Sequence, residues 1–151
     1  MDQEVSLNVS GKVSPAFLRF SPDGDHIYFM TAGSSRNSSD VYKMTRFGGG
    51  TELVATDIAS EFSFSKDGIK MAFIRRDLRT NAHTLVIRDL SDGKERELAR
   101  KELPDGFSLI SAPVISPGGG KVHVLTAPQK TPSSEIVSIS LSDLKEKRIG
   151  T

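Results

Sequence analysis

A short turn written three times constrains this chain more than any other feature. Ser21-Pro22-Asp23-Gly24 returns as Ser65-Lys66-Asp67-Gly68, 44 residues on (65 − 21), and as Ser116-Pro117-Gly118-Gly119, a further 51 on (116 − 65). The agreement extends past the turn. Six residues after each serine stands an apolar residue: Ile27, Met71 and Val122. Eight residues after stands another: Phe29, Phe73 and Val124. Twenty residues after, an apolar cluster opens at Val41, Leu85 and Ile136, and a last apolar position follows at Leu53, Leu98 and Ile149. Self-similarity at this spacing marks a repeat architecture, one supersecondary unit copied along the chain. The additional 7 residues (51 − 44) fall mainly around Arg100 to Ala112.

Each unit holds four short runs rich in β-branched and aromatic residues, bounded by Gly, Pro, Asn and Asp, which read as strands. The first strands are expected over Phe17 to Phe20, Glu61 to Phe64 and Pro113 to Ile115. The second cover Ile27 to Thr31, Met71 to Arg75 and Val122 to Thr126. The third cover Val41 to Met44, Leu85 to Asp89 and Ile136 to Ser140. The fourth cover Thr51 to Val54, Arg96 to Ala99 and Lys147 to Ile149. No window sustains a 3.6-residue apolar period, so almost no helix is expected. Four antiparallel strands repeating every ~40–50 residues are the pattern of a β-propeller blade, whose two apolar faces are hidden only by neighbouring blades. The expected fold class is therefore all-β. Blades are expected at residues 13–57, 58–105 and 106–151, and residues 1–12 are expected to hold the last strand of a preceding blade, at Val5 to Val9. Three blades and one stray strand leave unpaired edges. The favoured expectation is part of a larger propeller. The alternative is self-association through the open edges, two chains completing a ring.

With 36% hydrophobic and 26% charged residues, the 151-residue chain can form a core. Twenty basic and 19 acidic residues give a net charge of +1, which supplies no global attraction to nucleic acid or an anionic membrane. The absence of cysteine excludes disulfides and thiolate metal sites. No apolar run approaches the ~20 residues of a membrane span.

The residues FSPDGDHIYFM, Asp40-Val41-Tyr42 and Gly48-Gly49-Gly50-Thr51-Glu52-Leu53 resemble the TolB-like, WD-type propeller repeat of bacteria. Unit two keeps the turn but for Lys66 in place of proline, and unit three has Gly118 where aspartate is usual. The run RELARKELPDGFSLISAPVISPGGGK is similar to propeller regions that follow bacterial membrane-anchored serine/threonine kinases. The resemblance implies a sensor or interaction domain of a larger signalling or envelope protein, with a periplasmic or extracytoplasmic location. It also admits a structural or gating propeller beside a kinase or peptidase domain.

No catalytic signature accompanies the repeat: there is no Gly-x-Ser-x-Gly elbow and no phosphate-binding Gly-x-x-x-x-Gly-Lys-Ser/Thr. Gly48-Gly49-Gly50 and Gly118-Gly119-Gly120 fall at turns and precede no helix. His26, His83 and His123 stand at different places in their units and without metal spacing. Asp23 and Asp67 read as turn residues capping local amides. A non-enzymatic chain with no cofactor and no metal is expected. Binding residues concentrate on loops held by a rigid scaffold. The loops between second and third strands, with the connection Arg100 to Ala112, would give one face a positive bias. Its candidate binding residues are Arg36, Arg75, Arg76, Arg79, Lys101 and Lys130, with Arg19 on an inner strand facing the channel. The expected ligand of that face is an acidic peptide, a glycan, a small ligand or a protein partner, with a protein or peptide favoured.

Overall fold

The computed structural model describes residues 15–128 and 133–150. Among the described residues there is no helix, and three four-stranded antiparallel sheets form. The strand expected over Val5 to Val9 lies outside the described residues. Sheet 1 contains β1 (Ala16–Phe20), β2 (His26–Ala32), β3 (Ser39–Thr45) and β4 (Glu52–Ile58), hydrogen-bonded in that order. Sheet 2 contains β5 (Ser63–Phe64), β6 (Lys70–Arg76), β7 (Ala82–Asp89) and β8 (Glu95–Glu102). Sheet 3 contains β9 (Val114–Ile115), β10 (Lys121–Leu125), β11 (Ile136–Ser140) and β12 (Glu146–Gly150). Each sheet is a meander in which sequence neighbours pair. Sheet 1 belongs to one compact unit ending at Ile58, and sheets 2 and 3 share a second unit that begins at Ala59.

The repeated turn owes its shape to serine and glycine. Gly24, Gly68 and Gly119 have φ of 75°, 74° and 73°, the left-handed region that a side chain would strain. Their amides donate to the carbonyls of Ser21, Ser65 and Ser116 at 2.8, 2.9 and 2.8 Å. Each serine hydroxyl oxygen accepts the amide five residues on: His26 at 3.0 Å, Lys70 at 2.9 Å and Lys121 at 3.1 Å. Asp23 and Asp67 add a carboxylate that accepts the amides of Asp25 and Ile69, both at 3.0 Å. Their serine hydroxyls also donate to them, which holds both carboxyls below the usual aspartate range. The third turn keeps the same backbone bonds with Gly118 in place of the carboxylate, so aspartate is an addition to this turn and not its basis.

The strands depart from the sequence expectation mainly at their ends. β7 begins at Ala82, three residues before the apolar cluster, and β8 continues to Glu102. Ala82, His83 and Thr84 pair with Glu102, Lys101 and Arg100 across the ladder. Polar residues join a strand here because backbone hydrogen bonds to both neighbours satisfy their amides. The first strands of sheets 2 and 3 shrink instead, β5 and β9 to two residues each, while β1 keeps five.

Period-two alternation places the core of the second unit. Ala72, Ile74, Leu85, Ile87 and Leu98 from sheet 2 meet Ile115, Val122, Val124, Val137 and Ile139 from sheet 3, and all are buried. Phe107, from the long connection between the sheets, is fully buried in the same cluster. In sheet 1, Phe29 and Tyr42 stand in register and stack with ring centroids 5.9 Å apart.

Candidate functional site

The end of the second unit that carries the β6–β7 turn also carries the β8–β9 connection. Ala127 donates to the carbonyl of Gly106 at 2.7 Å, and Ser108 donates to that of Leu125 at 2.8 Å. Phe107 bridges to Thr126. The connection between sheets is thereby stitched onto the end of β10. It is not a free loop, which its spacing in the sequence could not reveal.

One row of residues crosses sheet 2 at this end: Arg76 pairs with His83, and His83 pairs with Lys101. Alternation puts this row on the face that meets sheet 3. His83 is buried, with its Nδ1 2.9 Å from the Phe107 carbonyl oxygen. Burial pushes the imidazole below its ordinary value, and the Arg76 charge adds to that effect, while the Phe107 carbonyl pulls the other way. The Lys101 ammonium lies 5.6 Å from the Phe107 ring centroid and 2.8 Å from Glu146 on β12. Arg148 contacts Glu135 at 2.8 Å. Between these two ion pairs lies a groove of about 690 Å³ bordered by Lys101, Asp105, Thr126, Val137, Glu146 and Arg148. Volumes of this order suit a small ligand or one or two side chains of a partner. Among the described residues, no group of three or more His, Asp or Glu side chains could hold a metal.

The residues singled out from the sequence divide. Arg76 and Lys101 share the row just described. Arg79 is exposed in the β6–β7 turn, where its amide donates to Asp77 at 2.9 Å. Arg75 behaves differently. It stands in register with Thr84 and Arg100, yet its guanidinium binds Glu95, four rows away at the other end of the sheet. The side chain therefore runs along the sheet and away from the loops. Burial raises the Glu95 carboxyl, but Arg75 and Arg88 outweigh it and hold the group below its usual range. Arg19 and Arg36 belong to sheet 1 and the β2–β3 connection, both exposed, with the Arg19 guanidinium 5.1 Å from the Phe17 ring. Lys130 lies outside the described residues. Sequence reasoning passed over Asp105, Glu135, Glu146 and Arg148, because no spacing relates them: the β11–β12 pairing brings Arg148 to Glu135, and the packing of sheet 3 on sheet 2 brings Glu146 to Lys101.

No protein-family model matches this chain, and no curated protein does. Solved structures do. The β-propeller domain of the Trilobed protease from Pyrococcus furiosus superposes with a TM-score of 0.67 at 9% identity, over 91% of this chain and 43% of that one. The three sheets are β-propeller blades. The acylaminoacyl peptidase of Pyrococcus horikoshii aligns with the blades at a TM-score of 0.64 and 10% identity, over 91% of this chain and 25% of that one. TolB from Acinetobacter baumannii aligns at 0.49 and 13%, over 94% and 45%. The blades thus span less than half the length of each of these chains. The sheet number fits part of a propeller, as the repeat predicts.

Proposed function

We propose that these blades form a non-enzymatic binding module that holds a protein or peptide at the loop end of sheets 2 and 3. The groove between Lys101–Glu146 and Arg148–Glu135 carries this reading. Its two cations are already ion-paired, while Asp105, Glu135 and Glu146 give it three carboxylates against them. A segment bringing a basic side chain to Asp105 suits that balance better than a uniformly acidic one, because complementary charge sets which partner is accepted.

Fluorescence anisotropy with three pools of short labelled peptides, of positive, neutral and negative net charge, tests this. The positive pool is expected to bind saturably, and Asp105→Lys to weaken that binding at least tenfold while the fold persists. No saturable binding by any pool, or equal binding by the variant, overturns the reading.

A second reading is favoured by the likeness to propeller domains of a protease and an acylaminoacyl peptidase. In it the blades serve as a structural or gating element for a catalytic domain. Sequencing the surrounding reading frame separates the two: peptidase or kinase motifs in the same frame support this second reading, and their absence leaves the binding module.

A further inference from the structure

Three residues able to carry positive charge line up behind the groove. Arg76, His83 and Lys101 stand directly opposite one another on β6, β7 and β8, on the face that meets sheet 3. Side chains so paired have Cβ atoms about 4.5–5.5 Å apart, and like charges there repel. Both ends of the row are held. The Arg76 guanidinium donates to the neutral Asn81 side chain at 3.1 and 2.6 Å, and the Lys101 ammonium lies 2.8 Å from Glu146. His83, between them, is 6% exposed. Its Nδ1 lies 2.9 Å from the Phe107 carbonyl oxygen, and the backbone of Gly106 rests against its ring. Gly106 directly follows Asp105, the carboxylate that the groove offers to a ligand.

A proton taken up by His83 therefore arrives between two cations and one residue behind Asp105. The remaining charges around the groove are Glu135, Glu146 and Arg148. Glu146 is engaged by Lys101 and Glu135 by Arg148, so Asp105 is the carboxylate left to answer an imidazolium. Burial and the Arg76 charge favour the neutral ring, against the pull of the Phe107 carbonyl.

We infer that a proton on His83 and a cationic side chain in the groove exclude one another, so that acid releases the bound segment. The inference rests on the binding reading above and adds a release mechanism to it. A neutral imidazole leaves the field of Asp105 to the ligand, whereas an imidazolium offsets that field and repels the incoming cation. The coupling is reciprocal: the ligand lowers the proton affinity of His83 by the same factor as the proton lowers ligand affinity.

Fluorescence anisotropy with a histidine-free peptide pool of positive net charge, from about pH 7.5 to about pH 5, tests the coupling in a window above the ordinary carboxylate range. Wild-type affinity is expected to fall at least about fivefold, the lower end of typical coupling between sites. His83→Gln keeps a neutral donor for the Phe107 carbonyl and is expected to hold its affinity across the window. Arg76→Gln removes a cation beside the ring and is expected to move the fall to higher pH. The nuclear magnetic resonance signal of the His83 Cε1 proton is expected to titrate at lower pH once the peptide pool is added. Circular dichroism at each pH confirms that every variant stays folded. Binding that ignores pH, or that falls equally in His83→Gln, overturns the coupling and leaves the binding reading standing. No saturable binding at pH 7.5 overturns both.

Discussion

The Nδ1 of His83 lies 2.9 Å from the carbonyl oxygen of Phe107, and this bond joins the third strand of one blade to the connection leading into the next. A carbonyl can only accept, so the proton of the neutral imidazole sits on Nδ1. Gly106 closes over the ring so tightly that a Cβ there would stand 2.7 Å from Nδ1 and 2.9 Å from Cε1.

Stability should therefore depend on pH through His83. Its folded pKa is depressed by burial and by Arg76, so the unfolded chain binds the proton more readily. The contribution is fully present above the unfolded value of about 6.5 and is lost as pH falls below it. Urea unfolding at stepped pH should show a decline beginning there, with His83→Gln flattening that part of the curve. Identical declines in both proteins would remove His83 as the responsible group. Gly106→Ala, which forces the ring aside, should cost about 1–3 kcal/mol at neutral pH by the same assay.

The repeated turns predict unequal losses for the same mutation. Ser65 is buried, accepts the Lys70 amide and donates to Asp67. Ser116 accepts only the Lys121 amide among the side-chain bonds of its turn. Ser65→Ala should cost about 1–2 kcal/mol and Ser116→Ala roughly half that, measured as shifts in urea midpoint at constant slope.

Phe107 should be the most costly single truncation in the connection. Phe107→Ala removes a fully buried ring from the cluster between sheets 2 and 3 and should destabilise by about 3–5 kcal/mol. A loss below about 1 kcal/mol, the level of a surface change, would mean that the connection is not packed as described.

Lys101 and Glu146 tie β8 to β12 across the two blades at 2.8 Å, with side chains 22% and 39% exposed. Lys101→Glu and Glu146→Lys should each destabilise, and the double exchange should recover part of the loss. The coupling in the double-mutant cycle should be about 0.2–1 kcal/mol and shrink with added salt, as expected for a partly screened pair. A coupling of zero would show that the contact holds neither sheet.

The architecture was legible along the chain because its determinants are local. A glycine tolerates the left-handed turn at Gly24, Gly68 and Gly119, a serine caps it, and alternation assigns faces to the strands between. Strand ends were less legible. The ladder recruits polar residues such as His83 and Thr84 when neighbours on both sides offer hydrogen bonds, and no local preference records that.

Which charges act together was decided by packing alone. Six basic residues looked alike as loop cations. The fold sends Arg75 back along its sheet to Glu95, places Arg76 beside buried His83, and sets Lys101 against Glu146, 45 residues further on in sequence (146 − 101). A hairpin is specified by residues within a few positions of one another, so its signal survives in the sequence. An ion pair between blades is specified by the seating of one sheet on another, which exists only once the apolar faces have closed.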